Sequence, residues 1–447
     1  MTRTQKLIQE TAAGNSWRQR ETELLRNQAL RLYAAEPVHN IKHAQVECYL
    51  MEHITAEIGP NELLVGRLPV DCPFSPDEEK AFQDEAAYAK AVGRINGIDS
   101  GATYHRVLDY EKVLKIGISG ILQEIAKRRA AIDVTQPDTI ERAVVYQAAE
   151  IALKGAVILA ERYRQMLAEL ADTTSDADRA GELRTLAGIL ARVPDQPPRS
   201  FYEALQSMWL IQFCAFLIGD FSLTGRPDQY LYPYYRHDLE TGVLTPEFAL
   251  ELIEQLYCKN NQIYGTWPAS LMVGGVDRDG RPNWNELSYL FVRAIETTKL
   301  INPSVAVCYN EDIPEDLLQL GVKIIAQGLT KPAFFNDRLI IEGLVRAGVI
   351  LEDARQYIHS TCVEITPIAA SNISVATPYI NLCKAFEYLF HDGRKIYGDE
   401  EAIDQVTATD LSELKTFASF YRRYKEIAAG IIRTQLQHAS RDVYLKA

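Results

Sequence analysis

From Thr245 to Gly348 the chain switches repeatedly between helical and extended spacing. "LTPEFALELIEQLYCKNNQ" opens with Thr245 as a cap and Pro246 at the first helical position, where a missing N–H costs nothing. Two short apolar runs, "ASLMVGGV" (269–276) and "PSVAVCYN" (303–310), read as strands. Helical spacing returns at 284–299, 314–328 and 338–348. Successive strands joined through a helix lie parallel, and a parallel sheet needs helices to cover it. The order helix, strand, helix, strand, helix therefore predicts an α/β architecture with largely parallel strands.

The rest of the chain is mostly helical in pattern. Residues 18–35 and 41–58 are helices broken by "AEPVHN", and "IGPNELLVGRLPV" (58–70) is a loop leading to a short strand. "DCPFSPDEEKAF" is a second punctuated loop. Residues 109–132 form a long amphipathic helix with Leu114, Ile118, Ile121 and Ile125 on one face, weakened by Gly117 and Gly120. Residues 139–192 supply two more helices. At "VPDQPPRSFYEAL" the pattern breaks, and Ser200 with Glu203 marks a new helix start. The apolar stretch from Met208, "MWLIQFCAFLIGDFSL", is shorter than a membrane span and is interrupted by Asp220, so it reads as a buried strand or helix. No linker stands out. Residues 1–447 are read as one unit, with a helical part over about 1–195 and the α/β part over about 196–447.

Composition excludes several functions. A 447-residue chain with 47% hydrophobic and 24% charged residues can bury a large core. A net charge of −13 argues against a nucleic-acid or anionic-membrane surface. The N-terminus has no apolar signal region, which predicts a cytoplasmic protein. Seven cysteines with wide, irregular spacing and no CxxC pair speak against zinc ribbons, thioredoxin-like sites and protein-bound iron–sulfur clusters. His39 and His43 are four apart on one helix face, but no third ligand suggests itself, so solvated surface is the reading and no metal is expected.

One cysteine stands apart. In "HSTCVEITP" (359–367), Cys362 lies two residues before Glu364, and in an extended chain positions two apart face the same side. A free cysteine is often a small buried hydrophobe. A carboxylate beside a thiol raises the thiol pKa, which disfavours a thiolate nucleophile. The pair suits chemistry in which the sulfur stays neutral and the carboxylate moves protons. No nearby pattern aims His359 at the sulfur, and Cys383, in "NLCKAFEYL", reads as core.

These segments carry a resemblance. "PAFFND" (332–337), "LEDARQYIHSTCVE" (351–364) and "PYINLCKAFEYLFHDG" (378–393) resemble the cysteine-loop region of glycyl radical enzymes, the pyruvate formate-lyase superfamily. "NELLVG" (61–66), "HRVLDYEKVLKIGISGI" (105–121), "RSFYEALQSMWLIQF" (199–213), "GRPDQYLYPYYRHDLETGVLT" (225–245) and "LMVGGVDRDGRPNWNELSYL" (271–290) resemble the family in the same order. The resemblance implies a ten-stranded α/β barrel wrapped by helices, built from two five-stranded halves with the cysteine loop between them. It makes Cys362 the thiyl-radical cysteine and Glu364 the neighbouring general acid or base. His105 matches the family's pocket histidine, and Asp220, Asp228 and Phe334 are assigned to the substrate pocket. Tyr230 and "YLYPYY" line that pocket or belong to the core, and Asn336 and Asp337 read as helix caps.

The departures matter equally. Thr361 and Val363 flank Cys362 where pyruvate formate-lyase has adjacent cysteines, so formate-lyase chemistry proper is not expected. Asp220-Phe221 stands where diol dehydratases have His-Ser, and "SVATPY" follows the cysteine where they have an Asp. No Arg-Val-x-Gly-Tyr segment, the family's radical-glycine loop, occurs in the sequence. The resemblance thus implies a lyase, dehydratase or decarboxylase acting on a small molecule, with no bound cofactor of its own. Its glycyl radical is installed by a separate radical S-adenosylmethionine activating enzyme. The radical glycine then sits on a separate polypeptide, or the chain is truncated, or it is a non-catalytic α/β binding or assembly protein. Open strand edges predict a homo-oligomer.

Overall fold

A computed structural model describes residues 1–12, 19–68, 74–96, 103–133, 135–217, 221–264, 269–360, 364–370, 373–375, 381–391 and 409–446. The chain forms two compact units, one of residues 1–90 and 104–373 and one of 91–103 and 374–447. The first holds the strands that concern function. The second contains the helices Cys383–Phe390 and Phe417–Lys446 around its own cluster of Ala385, Tyr388, Leu389, Ile427, Ala428 and Ile431.

Five strands run parallel in chain order in the first unit: β1 (Thr103–Val107), β2 (Phe221–Leu223), β3 (Ser270–Val273), β4 (Ser304–Tyr309) and β5 (Ala333–Asn336). β1 comes from the part read as helical, over about 1–195, and it pairs His105 with Phe221. β2 reaches β3 through a parallel bridge between Gly225 and Leu271, closed by Thr224 N–H to Ser270 O (3.1 Å) and Met272 N–H to Gly225 O (2.9 Å). The result is a five-stranded parallel half-barrel. "PAFFND", expected to end in a turn, is β5, because its Ala333–Asn336 backbone completes the edge beside β4.

Register fixes the two faces. Val273, Val307 and Phe334 share one side, and the Phe334 ring lies against Gly321 of the outer helix Glu315–Ala326. Met272, Ala306 and Ala333 share the other side, the inner one. The helices Phe201–Leu217, Pro246–Tyr264 and Glu286–Thr298 are buried along most of their length. Their caps are as the sequence implies: Glu203 N–H donates to Ser200 Oγ, and Phe248 N–H to Thr245 Oγ1, both at 3.2 Å. The apolar stretch from Met208 is therefore helix.

"NELLVG" contains no strand among the described residues 58–68, yet it is buried. Side chains satisfy its backbone in place of a ladder. Val65 N–H donates to Gln206 Oε1 (2.9 Å), Leu63 N–H to Gln255 Oε1 (3.1 Å), and Trp209 Nε1–H to Gly66 O (2.9 Å). Glu62 is fully buried there, 3.0 Å from Lys259 Nζ and 3.3 Å from Arg67 Nη1.

The helix Tyr110–Ala130 breaks at Gly117, whose φ is 67°. A Cβ there would stand 2.3 Å from Asp195 O, so only glycine fits. The freed amides are taken up, Ile118 N–H by Pro194 O and Ser119 N–H by Asp195 O, both at 3.0 Å. Pro137–Thr173 is the longest described helix. Residues Thr139–Thr173 are long and apolar enough to cross a membrane, a stretch the sequence reading passed over in favour of the one from Met208. It packs on the helices His39–His53 and Ala177–Leu190, with Gly155 beside Cys48 and Met51 and Arg162 donating to Met51 O (2.9 Å).

Candidate active site

An antiparallel hairpin of β6 (Tyr357–His359) and β7 (Ile365–Pro367) lies across the inner face. Its strands are only three residues long, so side chains from the half-barrel hold it. Ser270 Oγ donates to His359 O (2.8 Å), and His359 N–H approaches Met272 Sδ at 3.0 Å. Both anchors belong to the inner face of β3. Arg226 donates from Nε (3.1 Å) and Nη2 (2.8 Å) to Tyr357 O, and its guanidinium stands 4.9 Å from the Tyr357 ring centre. Gln356 Nε2 donates to Val276 O (3.2 Å). β6 therefore runs antiparallel to β3. Its base sits at the C-terminal ends of the parallel strands, and its far end sits near Ser270.

The hairpin base is a buried polar cluster. Tyr357 Oη donates to Asp337 Oδ1 (2.6 Å), and Asn310 Nδ2 to Asp337 Oδ2 (2.9 Å). A Cβ on Gly275 would lie 3.1 Å from both Arg226 Nη1 and Asp337 Oδ2 and 2.9 Å from Cys308 Cβ, so glycine leaves room for all three. Burial alone would lower the Arg226 pKa, but Cys308, Tyr357, Asp337 and Asp228 around it raise it. Burial likewise pushes the Cys308 thiol and the Tyr357 phenol well up. Cys308 is thus a neutral thiol, and Arg226 is the fixed charge of the cluster.

The sequence-assigned residues fall in different places. Thr361, Cys362 and Val363, in the connection from β6 to β7, lie outside the described residues, as does Asp220. Glu364 is described, and its carboxylate accepts a hydrogen bond from Ser360 Oγ (2.5 Å). His105 is at the middle of β1. Asp228 is fully buried away from the hairpin: its Oδ2 accepts from Ser288 Oγ (2.6 Å) and Gly274 N–H (2.7 Å). Its Oδ1 has no partner, and burial raises its pKa to about 7. Phe334, assigned to the substrate pocket, points to the outer helix instead. Its neighbour Phe335 faces inward and stacks on the His359 ring, with centroids 4.8 Å apart. Asn336 caps the next helix through Leu339 N–H (3.1 Å) as expected, whereas Asp337 belongs to the hairpin base. Cys383, expected in the core, is exposed at the start of its helix, whose buried face is Ala385, Tyr388 and Leu389. The rings of His39 and His43 pair at 4.5 Å, and no group of metal-ligating side chains occurs among the described residues.

Tyr230 donates its hydroxyl to Thr224 O (2.7 Å) and lines a cavity of about 670 Å³ with Tyr110, Tyr234, Arg226 and Gln356. This cavity lies at the hairpin base, beside Arg226 and Gln356. Arg226, Asp337 and Ser360 were missed as hairpin supports. Arg226 stood inside "GRPDQY", but its partner Tyr357 is 131 residues away, a distance no local spacing reveals.

A five-stranded parallel half-barrel with the β6–β7 hairpin across its inner face makes one half of an α/β barrel. The chain belongs to the pyruvate formate lyase-like family, which it matches over residues 77–444. It is 32% identical over 369 residues to an isethionate sulfite-lyase of Oleidesulfovibrio alaskensis, covering 78% of this chain and 44% of that protein. It is 29% identical over 380 residues to a (2S)-3-sulfopropanediol dehydratase of Klebsiella oxytoca, covering 80% and 44%. The chain thus spans less than half the length of these relatives. Its fold matches that of a protein solved in work on 1,2-propanediol dehydration in Roseburia inulinivorans, with a TM-score of 0.83 at 23% identity over 100% of this chain and 64% of that one. A glycyl radical enzyme from Archaeoglobus fulgidus gives a TM-score of 0.79 at 24% identity, covering 100% and 65%.

Proposed function

We propose that this chain supplies the cysteine-loop half of a glycyl radical lyase, dehydratase or decarboxylase that cleaves a small molecule through a thiyl radical on Cys362. The observation that carries the reading is the hairpin that joins Tyr357 to Pro367 through Cys362. It is clamped to the inner face of the half-barrel by Ser270, Met272 and Arg226 and carries Glu364, two residues after Cys362 in sequence.

The glycyl radical, installed by a radical S-adenosylmethionine activating enzyme, supplies the one-electron oxidising equivalent that draws the hydrogen atom from the Cys362 thiol. The chain's own residues do the rest. A neutral thiol is what hydrogen-atom transfer needs, and a carboxylate two residues away keeps it protonated. Once the substrate radical forms, Glu364 takes or gives the proton that accompanies loss of the leaving group on the next carbon. His105, on β1, is read as a substrate contact. No Arg-Val-x-Gly-Tyr segment occurs within residues 1–447, so in this reading the radical glycine belongs to sequence outside them, on a continuation of the chain or on a separate polypeptide. Assembly as a homo-oligomer and work in an anaerobic cytoplasm complete the reading.

The test is reconstitution without oxygen, with activating enzyme, S-adenosylmethionine and the polypeptide that carries the radical glycine. Turnover that requires Cys362, and stops with Cys362→Ser, is the expected result. An O–H bond is too strong to relay the hydrogen atom. Full turnover by Cys362→Ser overturns the assignment.

A further inference from the structure

Ser360 and Glu364 face each other across the two ends of the connection that carries Cys362. Ser360 N–H donates to Glu364 O (2.6 Å), and Ser360 Oγ donates to Glu364 Oε2 (2.5 Å). The next pair along the hairpin is His359 with Ile365. A single residue therefore closes the main chain of the turn and also grips its carboxylate. Ser360 is fully buried, in surroundings where a hydrogen bond to a charge is stronger than in water. A hydroxyl has one proton to give, and giving it to a carboxylate oxygen stabilises the ionised form.

We propose that Ser360 is a positioning residue for Glu364, fixing the direction of its carboxylate and holding it as the base. This rests on the reading of Glu364 as the proton-transfer group. Serine at this position then does what no apolar residue of the same volume can do, although the main-chain closure would survive the change. Among the described residues, the other titratable or charged groups on or against the hairpin are His359, stacked on Phe335, and the base cluster of Arg226, Asp337, Tyr357 and Cys308. The base cluster is separated from Glu364 by the length of β6.

Cys362, two residues from Glu364 in sequence, serves as the probe, so the test needs no turnover. The full chain is alkylated with iodoacetamide across a range of pH without oxygen, and the rate at Cys362 is read peptide by peptide by mass spectrometry. Ionisation of Glu364 suppresses the neighbouring thiolate, giving a displacement of roughly tenfold in the rate profile at the pH where Glu364 titrates. Glu364→Gln should abolish that displacement and leave any contribution of His359. Ser360→Ala should move it to higher pH by about one unit or more, the size of a hydrogen bond to a charged group. Ser360→Thr and Ser360→Val are equal in size and differ in the hydroxyl alone. They should separate in the same way, which reads the hydrogen bond even if Ser360→Ala perturbs the turn. A displacement at the same pH in wild type, Ser360→Ala and Ser360→Val overturns the role of Ser360. A wild-type profile that Glu364→Gln does not change overturns the reading of Glu364 and this proposal with it.

Discussion

Glu364 and Asp228 show how differently two carboxylates are used in one chain. Glu364 is partly exposed at the hairpin, with a serine donor and a cysteine two residues away. In reconstituted enzyme, Glu364→Gln keeps the shape and removes the charge, and turnover should fall roughly 10²–10⁴-fold. A rate within a few-fold of wild type would leave Glu364 a binding or structural role. Cys383→Ala, at an exposed position at the start of its helix, should leave turnover unchanged. Asp228 is sealed in the core, and its pKa near 7 in the folded state compares with 3.8 for an ordinary Asp. Its sign follows from proton counting. Between about pH 4 and pH 7 the folded protein holds a proton that the unfolded chain has released. The contribution of Asp228 to stability is therefore fully present below pH 4 and declines as pH rises towards 7, by at most about 1.4 kcal/mol per pH unit. Asp228→Asn removes that titration. Urea unfolding across this range should show wild type losing stability relative to the variant as pH rises, whereas parallel curves would place the proton elsewhere.

At the scale of elements, the sequence was most legible where patterns are long. The helices over 284–299 and 314–328 and the strands near 270 and 304 are where periodicity and turn residues put them. Short elements were not legible. β6 and β7 span three residues each, too few for a period to show. They exist because partners distant in sequence, such as Arg226 for Tyr357 and Ser270 for His359, hold them. The site divides in the same way. Cys362 and Glu364 are proposed from one motif, whereas Phe334 was misplaced by one residue of strand alternation, with Phe335 facing the hairpin. Gly117 was noted only as a weak point in a helix, yet it is the residue that permits the break. Gly117→Ala adds a positive-φ penalty and a contact of 2.3 Å with Asp195 O. It should lower stability by roughly 1–3 kcal/mol. Gly188→Ala, in the helix Ala177–Leu190, where φ is ordinary and a Cβ meets nothing within 4 Å, is the control. Equal melting temperatures for the two variants would contradict this account.

For the molecule as a whole, the half-barrel ends at β5, and the helices beyond it expose Leu339, Val345, Ile350 and Leu351. Apolar surface of this kind on one side of a sheet favours association. Size-exclusion chromatography of the isolated chain should show oligomers, and a compact monomer would mean that this half is self-sufficient. The central claim is that the chain provides the thiyl half of a radical enzyme and not the radical glycine. Electron paramagnetic resonance tests it most directly, on oxygen-free samples treated with activating enzyme and S-adenosylmethionine. The account predicts no glycyl doublet from this chain alone and a doublet once the polypeptide bearing the radical glycine is added, with turnover then lost in Cys362→Ser. A glycyl doublet from residues 1–447 by themselves would contradict it.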